Sequence, residues 1–225
     1  GEWIESKGWR FDAVPPDARA LFICVPTVNK AAVAAVVGAA TAGQAVGEHL
    51  ADLLRGYAPI HRAALAQGLP TIGVSHGTVF GCISEHGVPM AGFDHEVTTG
   101  ALFGAEAQAF MLGHIHRHQS WVADGAAGQQ CIAYPGSIGR FHYGEEGDKG
   151  FLLWEVGPDG AHCALEPTPA RRTLDIVFEG KPDLDVLRSV VEEQQVGGAF
   201  VRVRWVVADE DRHEVDRASI LRLLA

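Results

Sequence analysis

Short apolar runs, each closed by a turn-forming residue, recur along the first two thirds of the chain. Four of them end in Pro or are followed at once by Pro, Gly or His-Gly, as expected of buried strands: 21–26, 71–75, 110–112 and 131–134. Residues 151–156 and 161–166 flank Gly157-Pro158-Asp159-Gly160, which predicts a β-hairpin. The Ala-rich stretch 30–67 predicts a helix at about 45–56 and, after an interruption at Pro59, a second helix to Gln67.

The pattern restarts after Pro167 and Pro169. Alternating apolar residues predict strands at 174–178 and 200–207, with a helix after Pro182 between them and a last helix at about 215–224. A new β-α-β-α series after a proline-bearing linker is typical of a separate folding unit. The sequence therefore predicts an α/β protein with two domains, 1–168 and 172–225.

Composition excludes several classes of protein. The 225 residues are 47% hydrophobic, which excludes a disordered chain, and no apolar run reaches the length of a membrane span. The four cysteines form no CxxC pair, so a cytoplasmic location with cysteines as small core residues fits best. A formal net charge of −10 disfavours a general nucleic-acid coat, but not an enzyme that reaches nucleic acid through bound metal ions.

The candidate chemistry lies in histidines that follow predicted strands. His76 follows the strand at 71–75, and Gly113-His114-Ile115-His116 follows the strand at 110–112. Ligand sites in α/β sheets lie at these carboxyl ends, and imidazole suits Zn, Mn and Fe. In extended chain His114 and His116 point the same way, so they can reach one ion or two adjacent ions. A single histidine at a strand end more often has a structural role. Metal binding is favoured because Ser75-His76-Gly77 and Gly113-His114-Ile115-His116 each follow a predicted buried strand.

Other residues near these histidines are weaker candidates for a functional role. Tyr134, Ser137 and Arg140 follow a strand in a Pro-Gly turn, where hydroxyl and guanidinium groups could bind phosphate, and a plain turn is the alternative. Among nearby acidic residues, Asp94, Glu96, Glu145, Glu146 and Asp148, the run 145–148 is interpreted as a solvated turn, and His95 as part of a surface loop. Arg202 and Arg204 share one strand face, where they could contact a nucleic-acid backbone, but the negative net charge of the chain favours pairing with Asp or Glu.

Several segments of the sequence resemble a known family. GVSHGTV at 73–79, FMLGHIHRHQ at 110–119 and IAYPGSIGRFHYGEEGDKGFLLWEV at 132–156 resemble the C-terminal half of the calcineurin-like metallophosphoesterase domain, most closely its SbcD-type DNA-repair exonuclease branch. FVRVRWVVADEDRHEVDRASI at 200–220 is similar to the small α/β capping domain of that branch. The resemblance implies a four-layered α/β/β/α sandwich with two divalent metal ions, Mn²⁺ first, with Mg²⁺, Fe or Zn²⁺ as alternatives.

The resemblance also implies roles for individual residues. His76 and His114 would bind one ion and His116 the other, and the ions would clamp a phosphodiester and activate water. DNA would be the substrate, the 172–225 unit would steer it, and an SMC-like ATPase or a second copy of the chain would be a partner. No membrane is expected as a partner.

The chain departs from the family in its first half. The family's Asp-x-His, Gly-Asp-x-x-Asp and Gly-Asn-His-Asp/Glu motifs are absent, and Asn29 is the only Asn. Three neutral imidazoles do not offset the repulsion of two divalent ions. The chain, which also starts without Met, is therefore interpreted as a fragment, weakly active or inactive alone. Three alternatives stay open: a non-catalytic binding piece of a nuclease assembly, a nucleotide or small-phosphoester phosphatase, and a self-contained three-histidine mononuclear hydrolase.

Overall fold

A computed structural model describes residues 2–4, 8–10, 17–27, 30–38, 42–90, 96–126, 128–145 and 147–225. Its strands are β1 (Glu2–Ile4), β2 (Gly8–Arg10), β3 (Leu21–Val25), β4 (Thr71–His76), β5 (Thr78–Val79), β6 (Glu96–Val97), β7 (Ala109–Gly113), β8 (Gln119–Gly125), β9 (Gly128–Tyr134), β10 (Gly150–Gly157), β11 (Gly160–Pro167), β12 (Thr173–Phe178) and β13 (Phe200–Trp205). Its helices are α1 (Lys30–Val37), α2 (Ala42–Leu65), α3 (Thr99–Phe103), α4 (Leu184–Gln194) and α5 (Arg217–Leu224), with a 3-10 turn at Asp209–Glu214.

The centre of the fold is a seven-stranded mixed sheet. Its strand order is β10-β11-β9-β7-β4-β3, and β8 pairs with β9 outside this path. The strands β3, β4, β7 and β9 run parallel to one another, whereas β8 and the β10–β11 hairpin supply the antiparallel pairs. Because the four parallel strands point the same way, the segments after β4 and β7 emerge side by side at one edge of the sheet.

Each face of this sheet has its own hydrophobic cluster. On one face, α2 residues pack against side chains of the parallel strands, among them Phe110, Leu112 and Ile132. On the other face, Ile72, Ala109 and Cys131 meet Trp154 and other residues of the β10–β11 hairpin. Alternate residues of β7 face opposite clusters, as a strand buried on both sides requires. Both faces of the sheet are therefore covered, and the α/β class predicted from the sequence is confirmed.

Helix α2 continues through Pro59, so the predicted interruption there is wrong. Proline in a helix interior removes one backbone hydrogen bond and costs about 3 kcal/mol. The buried face of the helix outweighs that cost, because one stripe of side chains at helical spacing packs against the sheet and α3. This stripe consists of Val46, Leu50, Leu54, Ala58, His61 and Ala64.

The C-terminal residues form a smaller α/β unit. The parallel strands β12 and β13 are joined through α4, and their cluster is centred on Leu187, Val215 and Ile220. Asp183 caps α4 by accepting hydrogen bonds from the backbone N–H groups of Asp185 and Val186. The predicted boundary, near 168–172, falls in a stretch without helix or strand between β11 and β12. The division into two domains stays a prediction.

Candidate functional site at the edge of the parallel sheet

His76 and His114 lie next to each other at the carboxyl ends of β4 and β7. His76 pairs in register with Gly113 of the neighbouring strand, and His114 follows at once. The two imidazole rings are 5.2 Å apart, centre to centre, in an edge-to-face arrangement. Both side chains are exposed. The parallel register therefore brings together two histidines that are 38 positions apart in the sequence, at an edge open to solvent.

Gly113 and the backbone of His114 make this approach feasible. A Cβ atom on Gly113 would lie 2.9 Å from Nδ1 of His76, so a side chain there would displace the imidazole. His114 has a φ of +113°, in a region that residues with a side chain rarely adopt. Such a conformation costs on the order of 1–3 kcal/mol and is typical of functional sites. The backbone conformation that places His114 beside His76 therefore lowers the stability of the fold.

His116 belongs to a different group. Within the described part of the chain, one group of three potential ligands has all its donor atoms within 4.8 Å of one another, and it consists of Glu85, His116 and His142. Among the residues that the structure describes, neither His76 nor His114 belongs to such a group. The structure thus gives His76 and His114 a ring contact with each other and gives His116 two further close potential ligands, while the sharing of one metal centre by all three histidines stays a prediction.

The surroundings of His116 are partly apolar. Its Nδ1 atom is buried and has no hydrogen-bond partner among the described residues. Its ring lies 5.6 Å from the ring of Phe141. The side chain as a whole is partly exposed. A buried ring nitrogen without a partner is costly, and a metal ion is one way of satisfying it.

Glu145 is not in a solvated turn, so that prediction is wrong for this residue. Its carboxylate lies 2.5 Å from Nζ of Lys149, and both side chains are fully buried. Glu145 Oε1 also accepts hydrogen bonds from the backbone N–H groups of Phe141 and His142, at 2.9 and 2.7 Å. Burial by itself raises the pKa of Glu145, but the hydrogen bonds from Lys149 and from the two amides outweigh it and hold this pKa below its ordinary value.

Lys149 connects this carboxylate to the loop that follows β7. Its Nζ donates to the carbonyl oxygen of His116 at 2.9 Å and to Oγ of Ser137 at 3.1 Å. The ammonium group thus has three oxygen partners, which a buried cation needs. Sequence reasoning missed Lys149, and the i, i+4 spacing of Glu145 and Lys149 was the available signal. Asp148 is exposed, as a solvated turn requires.

The three predicted substrate-binding residues make internal contacts. Tyr134 is fully buried, and its hydroxyl donates to the carbonyl of Gly77 and accepts from the N–H of Val79. Ser137 is buried and donates to the carbonyl oxygen of Gly139 at 2.8 Å. Arg140 donates to two backbone carbonyls, those of Gly147 and Ala170. All three stabilise the loops around the histidines, and their contact with substrate stays a prediction.

The remaining sequence candidates fall outside the site. Arg202 and Arg204 both form ion pairs with Asp175 in the C-terminal unit, which confirms the predicted pairing with an acidic residue. Asp94, His95 and Glu146 lie outside the described residues, as does the side chain of Glu96. Glu85 and His142 carried no sequence signal, because their approach to His116 depends on the folding of two loops.

Comparison of the chain with models of known protein families and with curated proteins gives no match. The family resemblance of the motifs therefore stays a hypothesis. Among the described residues, no helix has the length and apolar character needed to cross a membrane. The chemistry of the candidate site rests on the side chains at the sheet edge.

Proposed function

We propose that this chain supplies histidine ligands to a metal-dependent centre that hydrolyses phosphodiester bonds, with DNA as the substrate. The observation that carries the proposal is the His76–His114 pair, 5.2 Å apart between ring centres at the ends of adjacent parallel strands. This is where α/β sheets place their ligand sites. The covered faces of the central sheet are compatible with the sandwich that the family resemblance implies.

The residues present fit the histidine part of such a centre. Imidazole nitrogens bind Mn²⁺, Fe and Zn²⁺, and the exposed positions of His76 and His114 leave room for further ligands and for substrate. A bound divalent ion would supply Lewis-acid stabilisation of the phosphate charge. In the proposal, His76 and His114 hold the ion, while Gly113 provides the space that lets the His76 ring lie against the β7 strand.

Carboxylate ligands would have to join this pair for it to hold two ions. Neither His76 nor His114 lies in a group of three close potential ligands within the described residues. A carboxylate offsets the charge of the metal and completes its coordination, which neutral imidazoles alone do not. The proposal therefore assigns the pair a share of the centre, with the acidic ligands supplied by protein outside the described residues.

The test is Mn²⁺-dependent cleavage of a labelled DNA oligonucleotide by the protein as its whole gene encodes it. Cleavage is expected to fall at least about 100-fold in the variants His76→Ala and His114→Ala, because each removes a direct metal ligand. His213→Ala, which changes an exposed histidine of the C-terminal unit, is the matched control and is expected to keep full activity.

Two results would contradict the proposal. One is the absence of Mn²⁺-dependent cleavage in the unmodified protein, and the other is cleavage that both histidine variants retain. Hydrolysis of bis(p-nitrophenyl) phosphate with DNA left intact would instead assign the centre to small phosphodiesters and refute DNA as the substrate.

A further inference from the structure

We propose that Glu85, His116 and His142 form a binding site for a single divalent transition-metal ion, Zn²⁺ foremost, whose protein ligands include neither His76 nor His114. The three residues come from three separate segments of the chain, and their potential ligand atoms all lie within 4.8 Å of one another. This inference does not depend on the proposed hydrolytic function, because it concerns a set of ligands that includes neither His76 nor His114.

The separations are close to what an ion requires. Ligand atoms bound to Zn²⁺ at about 2.0–2.2 Å in tetrahedral geometry are about 3.3 Å apart. Each pair in the group therefore has to close by about 1.5 Å at most. His142 is exposed and Glu85 only partly buried, so rotation of these two side chains can supply that movement without a change in the core.

The segment that carries Glu85 is held in place by its backbone. Ser84 and Val88 are joined by a hydrogen bond across the turn, and Ile83 pairs with Pro89 in an isolated bridge. The side chain of Gln119 in β8 accepts a hydrogen bond from the N–H of Ile83 and donates another to its carbonyl. This loop is thus fastened to the central sheet, and Glu85 projects from a fixed support.

His116 and His142 share a second support, the buried Glu145–Lys149 ion pair. Glu145 accepts the backbone N–H of His142, and Lys149 donates to the backbone carbonyl of His116. Thr173 of the C-terminal unit adds a 2.8 Å hydrogen bond to the carbonyl of His142. The backbones of two of the three ligands are therefore set by one buried network, as a metal site with low reorganisation cost requires.

The donor set itself indicates the metal. Two imidazoles and one carboxylate are the protein ligands of many zinc sites that keep a position open for water or substrate. The same set holds non-haem iron in other proteins, whereas Mg²⁺ and Ca²⁺ prefer oxygen donors. The buried Nδ1 of His116, without a hydrogen-bond partner among the described residues, is a polar atom that a ligand would satisfy.

His86 lies at the rim of this site and offers a competing explanation. Its Nε2 is 3.9 Å from Glu85, and its ring centre is 6.3 Å from that of His142. If the cluster served only as a surface ion pair between Glu85 and protonated His86, metal would not bind to it. The two explanations make opposite predictions for the removal of His142, which takes no part in the His86–Glu85 contact.

The experiment is a titration of the chain with Zn²⁺ by isothermal calorimetry, and with Co²⁺ as a spectroscopic probe of coordination. One ion is expected to bind at the cluster, with the ring nitrogens of His116 and His142 shifting in ¹⁵N-histidine spectra. Glu85→Gln and His142→Gln are each expected to weaken binding at that site at least about 10-fold, since each removes one of three protein ligands. The exposed position of His142 lets the second variant keep the fold.

The controls are His162→Ala and His213→Ala, both at exposed histidines outside the cluster and outside the His76–His114 pair. Both are expected to bind Zn²⁺ within about 2-fold of the unmodified chain. The inference is overturned if the chain binds no Zn²⁺ or Co²⁺, or if binding is unchanged in both His142→Gln and Glu85→Gln. It is equally overturned if binding disappears in His76→Ala and persists in His142→Gln. Since the readout is binding and not cleavage, its failure is distinguishable from failure of the proposed hydrolytic function.

Discussion

Replacing Lys149 by Met tests whether the buried ion pair supports the loop that carries His142. Lys149 Nζ lies 2.5 Å from the Glu145 carboxylate, 2.9 Å from the His116 carbonyl oxygen and 3.1 Å from Ser137 Oγ. Methionine keeps much of the side-chain volume but removes the charge and all three hydrogen bonds. The carboxylate of Glu145, whose side chain is fully buried, is then left without its counter-ion.

The expected cost follows from that burial. Removing one partner of a buried pair costs about 3–5 kcal/mol, because the remaining charge stays desolvated. The exposed Lys181–Glu214 pair, 3.3 Å apart with both side chains about half exposed, provides a matched control within the same chain. Lys181→Met is expected to change the free energy of unfolding by at most about 1 kcal/mol, since exposed pairs contribute little.

Urea unfolding, followed by circular dichroism, measures both variants. With a slope of about 2–3 kcal/mol per molar urea, Lys149→Met is expected to lower the midpoint by about 1–2 M. The double variant Glu145→Gln/Lys149→Met removes the stranded charge and keeps an oxygen that accepts the N–H groups of Phe141 and His142. It is expected to recover about 2 kcal/mol relative to the sum of the single changes.

The outcome that refutes this reasoning is a Lys149→Met protein no less stable than Lys181→Met. The same result would remove the support assigned to His116 and His142. If the double variant showed no recovery, the cost would come from lost packing of the lysine chain and not from an unpaired carboxylate.

Three further predictions concern other parts of the molecule. His114→Gly is expected to raise the free energy of unfolding by about 1 kcal/mol relative to His114→Ala in a urea titration, because glycine adopts a φ of +113° without strain; equal stability would contradict the strain. Asp175 accepts hydrogen bonds from Arg202 and Arg204, which hold the pKa of its carboxyl below the ordinary 3.8. The stabilisation that Asp175 provides is therefore present above about pH 4 and is lost as the pH falls below that value. Asp175→Asn is expected to lower the free energy of unfolding by about 1 kcal/mol at pH 7. If the difference in melting temperature between this variant and the unmodified protein did not shrink towards pH 2, the linkage would be refuted. Burial raises the pKa of Cys131 to about 12, so little of the reactive thiolate is present at pH 8. Alkylation of Cys131 by iodoacetamide, measured by peptide mass spectrometry, is therefore expected to be slow until the chain unfolds. Rapid labelling of the folded protein would contradict this burial.

Much of the secondary structure follows from local sequence. The strands β3, β4, β7 and β9 are short apolar runs closed by turn residues, and Gly157-Pro158-Asp159-Gly160 connects the two strands of the β10–β11 hairpin. The interruption of α2 at Pro59 was predicted wrongly, since local propensity omits the stabilisation that the buried face of a long helix gains from the sheet. Strand β8 has no such signal, because its residue types do not follow its alternating burial: Gln119 lies on the partly buried face and Val122 on the exposed face.

Some features of the candidate site follow from local sequence, and others depend on the tertiary structure. The sequence by itself determined that His76 and His114 follow strands, and a parallel sheet then requires those strand ends to lie at one edge. Only the tertiary structure decided that adjacent strands carry them, that His116 joins Glu85 and His142, and that Glu145 is buried against Lys149. Strand identity depends on neighbours in the chain, whereas these contacts depend on how loops far apart in sequence pack and on which charges lose their water.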